Sequence, residues 1–145
     1  MHVVSRIQDC IIIALIKRSG VRTIIQPPGI PSANPTYSQA IQALGFVFVS
    51  GQIGTDPKTG LLVSGDTAEQ ARQALKNTAA VLAAAGSSLE KVVSAQIYLT
   101  DFGELARVNK VYAAWFPVGG PAKTACGVTQ LYGGAKFEIQ VIAIA

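Results

Sequence analysis

Apolar residues recur at helical spacing twice in this 145-residue chain, and each time strand-like segments lie on either side. In the first stretch, Asp66 with Glu69 three residues on has the spacing of a capping box. Ala68, Ala71, Leu75, Ala79 and Leu82 then mark one face, and Gly86 sits where a helix ends in left-handed geometry. Asp101 and Glu104 repeat the capping spacing ahead of Leu105, Val108, Tyr112 and Trp115, a second amphipathic stretch stopped by Pro117 and Gly119-Gly120-Pro121. Strands are predicted over 22–26, 46–50, 93–99, 123–130 and 136–144. Val93, Ala95, Ile97 and Leu99 alternate with polar neighbours, as on a half-buried strand. Pro27-Pro28-Gly29, Pro31, Asn34 and Pro35 deny regular structure after the first strand, so Tyr37–Ala40 falls in a loop. Leu131–Ala135 reads as a hairpin turn. The order β-β-α-β-α-β-β predicts an α+β fold, a mixed sheet with two helices on one face. Residues 22–145 read as one domain behind an extension, residues 1–21.

Half the residues are apolar and 14% are charged, which excludes disorder, and Cys10 and Cys126 cannot staple a chain of this size. The net charge of +4 is unevenly placed. Residues 1–22 carry Arg6, Lys17, Arg18 and Arg22 against Asp9, whereas the rest of the chain is nearly balanced. The sequence therefore offers no basic face for nucleic acid, and no aromatic stacking motif either. The apolar run Cys10–Ile16 is shorter than the roughly 20 residues a membrane span needs. Lys17-Arg18 follow it where a secretory signal has small residues, so the basic, acid-poor extension fits a mitochondrial transit segment better. A loose extension or an added helix are the plainer alternatives. The expected location is cytoplasmic or mitochondrial.

The sole histidine, His2, lies in the extension, which removes Ser-His-Asp, Cys-His and HExxH chemistry from the domain. No metal site and no cofactor is expected. Glu138 is the one charge within Phe137–Ala145. A carboxylate there must find donors, bind a cation or take a raised pKa, unless it marks a solvated strand end beside Lys136. Lys123 follows the Gly-Gly-Pro break, so its backbone is stiff; its charge could meet an anionic substrate or simply be solvated. Tyr37 and Ser50 stand at loop and strand edges, where ligands bind, although each taken singly is first a turn or packing residue. Asn109 adjoins Val108 at the border of the apolar stripe, suited to a hydrogen bond into a cleft. Cys126 is expected to be a small buried hydrophobe.

Several segments occur in one order: Pro35-Thr-Tyr-Ser-Gln-Ala40, Val49-Ser-Gly-Gln-Ile-Gly54, Asp56-Pro-Lys-Thr-Gly60 and Gln70-Ala-Arg-Gln-Ala-Leu-Lys-Asn77. Ala84-Ala-Gly86, Val108-Asn-Lys-Val-Tyr112, Pro121-Ala-Lys123 and Glu138-Ile139 continue it. Together they resemble the RidA/YjgF family of enamine/imine deaminases, also called L-PSP endoribonucleases, across residues 22–145. The resemblance implies a chorismate-mutase-like fold assembled as a homotrimeric barrel, sheets inward and helices outside, with sites in clefts between subunits. Such an assembly would cover the second face of the last strand, where Ile142 and Ile144 share a parity with Glu138 and Gln140. It implies cofactor-free hydrolysis of 2-imino or enamine acids, such as 2-iminobutanoate and 2-iminopropanoate, to 2-oxo acids and ammonia. Glu138 then corresponds to the water-orienting carboxylate, Lys123 to the cation that meets the substrate carboxylate, and Tyr37, Ser50, Gly51 and Asn109 to cleft residues. The family pattern at 123 is arginine, whose planar fork matches a carboxylate as lysine does not. Gln140 and Tyr132 replace common Glu and Pro residues, and the segment before Pro121 is short. Weakened or altered hydrolysis is the expectation, raised by Lys123→Arg. The alternative is a non-catalytic trimer that binds small carboxylates or shields client proteins, with RNA cleavage third. No membrane partner is expected.

Overall fold

Side chains alternate across a strand, so the parity of burial along each strand decides how the layers form. The computed structural model describes residues 22–29 and 34–145; the extension with its transit reading, and Pro31, lie outside them. Its elements are β1 (Thr23–Ile25), β2 (Ala40–Ala43), β3 (Phe46–Ile53), α1 (Thr67–Ala84), β4 (Val92–Leu99), α2 (Leu105–Trp115), β5 (Ala122–Gly127) and β6 (Phe137–Ile144). Val47 and Val49 of β3, Ala95, Ile97 and Leu99 of β4, and Phe137, Ile139, Val141 and Ala143 of β6 are buried together. Leu75, Val81 and Leu82 of α1 and Val108, Val111 and Tyr112 of α2 close the same core. Both helices thus cover one sheet face, as the periodicity predicts.

The six strands run β1-β2-β3-β6-β4-β5. Neighbours are antiparallel except β4 and β5, which are parallel and joined through α2. The connection β3–α1–β4 leaves one strand position open, and β6 fills it. Asp66 caps α1 by accepting from the backbone N–H groups of Ala68 and Glu69 at 2.9 and 3.0 Å. At the far end Ser87 N–H reaches Leu82 O and Gly86 N–H reaches Ala83 O, with Gly86 at φ +72°. That is a Schellman ending, and it requires the positive φ that glycine adopts without strain.

Four expectations need correction. Of the loop expected over Tyr37–Ala40, Ala40 belongs instead to an unforeseen strand, Ala40–Ala43: β2 and β3 form a tight hairpin through Leu44 and Gly45, both at positive φ. The pair lacks the Asn-Gly signature of such turns, which hid it. Leu131–Ala135 is not a hairpin turn between neighbours, because β4 lies between β6 and β5. Tyr132–Gly134 form a single 3₁₀ turn on the way across, and β5 stops at Gly127. In β4 the register shifts between Val92 and Ser94, so Val92 is buried and Val93 is exposed. In α1 Ala79 is only half-buried, while Gln70, Asn77 and Thr78 are inside.

Candidate functional site

The predicted site residues fall into two groups on opposite faces of the sheet. The first gathers around β6. Glu138 pairs in register with Ile53 of β3 and Tyr98 of β4 and faces away from the helices. Its carboxylate is half-buried, and burial pushes it above the ordinary carboxylate range. Among the described residues it has no ion-pair partner. It lies against the backbone of Gly51, where any Cβ would collide with Glu138 Oε1. Gly51 therefore serves the close approach of this carboxylate and not a turn. The ladder between β3 and β6 is interrupted between Val49 and Gln52, and that bulge holds Ser50 and Gly51.

Three further contacts fix this wall. Tyr37 Oη donates to Gly51 O at 3.3 Å, and Ser50 Oγ donates to Ser38 O at 2.7 Å. Ser50 N–H donates to Gln39 O at 3.0 Å, tying the bulge to the residue that leads into β2. The Tyr37 hydroxyl is held above its usual pKa by burial, with the Glu138 charge adding to the effect and a hydrogen bond with Ser50 opposing it. Tyr37, Ser50, Gly51 and Glu138 thus stand together as one wall, apart from Lys123 and Asn109, which the resemblance placed in the same cleft.

Sequence reasoning missed the residues that support this wall. Gln52 Nε2 donates to Gln39 Oε1 and to Ser50 O, both at 3.1 Å, and both glutamines are buried. Asn77 on α1 donates to Ile53 O at 3.1 Å and Thr55 O at 2.9 Å, holding the end of β3. Asn77 at helical spacing from Ala74 and Val81 was an available signal; Gln52 gave none, because the bulge after Val49 turns it inward off the parity of Val47 and Val49.

The second group lies on the helix side. Lys123 of β5 sits opposite Ala95, whose side chain faces the core. Its Nζ donates to Asn109 Oδ1 at 2.5 Å and stands 4.2 Å from the centroid of the Tyr112 ring. Desolvation lowers the pKa of this ammonium, and it joins no ion pair among the described residues. Tyr112 was predicted only as a packing position. Cys126 is exposed, not buried, because β5 is the uncovered sheet edge. Among the described residues no group of three His, Cys, Asp or Glu side chains could hold a metal.

Within one chain, then, the carboxylate and the ammonium do not meet. They lie on opposite faces and two strand spacings apart, about 10 Å before any offset along the strands. A ligand touching both needs a second copy to bring one group to the other.

A family model described as Endoribonuclease L-PSP matches residues 29–145. A human protein named 2-iminobutanoate/2-iminopropanoate deaminase is 40% identical over 124 residues, covering 86% of this chain and 90% of its own. A RutC family protein of Pyrococcus horikoshii is 42% identical over 123 residues, covering 85% and 98%. Among solved structures, the Rid family protein YyfA of Yersinia pestis superposes with a TM-score of 0.81 at 41% identity, covering 86% of this chain and all of its own. TdcF of E. coli, solved with bound serine, gives 0.78 at 32% identity over 85% and 98%. Fold, ordered motifs and relatives converge, and the chain belongs to the RidA/YjgF, or L-PSP, family.

Proposed function

We propose that this protein hydrolyses 2-imino acids to 2-oxo acids and ammonia, at sites completed between copies of a homotrimer. One observation carries the reading: a half-buried carboxylate without an ion-pair partner among the described residues, Glu138, stands against a bare glycine backbone beside a hydroxyl. Burial raises its basicity, which suits a group that orients water and takes its proton. Lys123 of a neighbouring copy supplies the cation for the substrate carboxylate. The relatives named as 2-iminobutanoate/2-iminopropanoate deaminases support the substrate class. The bound serine of TdcF supports a pocket sized for a small carboxylate.

The chemistry needs only water as co-reactant. Water oxygen bonds to the imine carbon as the C=N electron pair moves onto nitrogen, and Glu138 takes the departing proton. Glu138 then returns that proton to nitrogen. Glu138 then takes the proton of the new carbinol hydroxyl and passes it to nitrogen as the C=O bond forms and the C–N bond breaks, and ammonia leaves with the 2-oxo acid. Orientation and a preformed charge pattern do most of the work, because the substrate is already labile.

The test couples a dehydratase to purified protein and follows semicarbazone formation from the released imine. Falling trapping in wild type, restored by Glu138→Ala, supports the reading. Trapping unaffected by excess wild-type protein overturns it. Lysine at 123 favours one further reading, a non-catalytic binder of small carboxylates, since a point charge binds without the two-pronged fit. On that reading Glu138→Ala leaves both trapping and carboxylate binding as in wild type.

A further inference from the structure

We infer that Tyr112 is a positioning residue whose ring, with the Asn109 side chain, seats the Lys123 ammonium as a fixed anion-binding group. The inference deepens the deaminase reading and rests on it for the identity of the anion. Asn109 and Tyr112 are three residues apart on α2, so their side chains share a face, the one turned to Lys123. Asn109 Oδ1 takes one N–H of the ammonium at 2.5 Å, and the ring lies beneath it at 4.2 Å. An ammonium has three N–H groups. With one held by an acceptor and one side occupied by the ring, its remaining donors are aimed outward.

The seat is rigid for reasons visible in the packing. Phe116 stacks on the Tyr112 ring with centroids 4.5 Å apart and planes at 30°. Tyr112 is 8% exposed, and its hydroxyl is buried with no hydrogen-bond partner among the described residues. The hydroxyl therefore does not explain the side chain's placement; the ring face does. Arg107, on the same helix, ties α2 to the start of α1 through Asp66 at 2.7 Å. A lysine on a free four-carbon stem is a mobile charge, and these contacts remove that mobility.

Tyr112→Leu keeps apolar volume and removes the ring, while Tyr112→Phe keeps the ring and removes only the hydroxyl. Asn109→Ala, at an exposed position, provides a variant with little folding risk. In protein labelled with ¹³Cε-lysine, the Lys123 methylene protons should resonate upfield from the ring current. That shift should vanish in Tyr112→Leu and return in Tyr112→Phe. In the trapping assay KM should rise about five- to tenfold in Tyr112→Leu and Asn109→Ala with kcat little changed, and Tyr112→Phe should restore it. An unshifted wild-type resonance, or a KM untouched by Tyr112→Leu and Asn109→Ala in folded protein, overturns the proposal. Should wild type fail to hydrolyse imines, the deaminase reading falls. The lysine resonance and the affinity for 2-oxobutanoate, measured on the same variants, then decide the seating.

Discussion

At the scale of single residues, the site places charges where the folded chain disfavours them. Burial raises the Glu138 carboxyl above its ordinary range and lowers the Lys123 ammonium below its own. For Glu138 the sign is fixed: the fold prefers the protonated form. The resulting stabilisation is complete below the pKa of the unfolded chain and is lost as pH rises through the raised folded value. Glu138→Gln should therefore abolish deamination without lowering the melting temperature at neutral pH. The advantage of the variant over wild type should shrink on acidification to about pH 4, and thermal melts across that range check it. A variant that melts lower than wild type at neutral pH contradicts the argument. Gly51 gives a second case. Gly51→Ala would drive a methyl group into the Glu138 carboxylate, so one of them must shift. A displacement of an ångström in a reacting group costs on the order of a hundredfold, and kcat/KM in the trapping assay should fall by about that much with the circular dichroism spectrum retained.

At the scale of elements, the bulge in β3 and its buried amides act as one unit. Gln52 bridges Gln39 and the Ser50 carbonyl, while Asn77 reaches across from α1 to the carbonyls of Ile53 and Thr55. Gln52→Ala would leave the Gln39 amide without this donor in the core. The expected loss is about 1–3 kcal/mol in denaturant unfolding, with reduced activity even in fully folded protein. The long elements were legible because their signals are local: Asp66 caps α1, Gly86 ends it, and the alternation in Phe137–Ala145 sets the face of β6. β2 was not legible, since Ala-Ile-Gln-Ala has weak strand character and its hairpin turns through Leu-Gly. The partner of β5 was hidden for another reason. Insertion of β6 between β3 and β4 is a long-range pairing that no local pattern encodes. Glu138, Tyr37 and Ser50 were singled out by their place in strand and loop, and Gly51 only by motif order. Gln39, Gln52, Asn77 and the Tyr112 ring were not, because their roles exist only once strands and helices pack.

At the scale of the whole molecule, one sheet face carries the helices and the other carries exposed apolar side chains. Ile24, Phe46, Phe48, Val93 and Ile144 are each 40% or more exposed. A continuous apolar surface of this kind is a contact surface in search of a partner. Closed symmetric assembly of copies would cover it, and the proposed function requires that the same operation bring Lys123 of one copy to the Glu138 wall of the next. This argument yields a test that depends on the division of the site and not on the fold of either variant. Lys123→Ala and Glu138→Ala should each be inactive when assembled alone. If the two are unfolded together, mixed in equal amounts and refolded, some junctions will receive an intact lysine from one copy and an intact glutamate from its neighbour. Random mixing in a cyclic assembly makes that fraction about one quarter, so about one quarter of wild-type activity should return. Sites built within a single chain would recover nothing on mixing, because every chain would still lack one of its two charges.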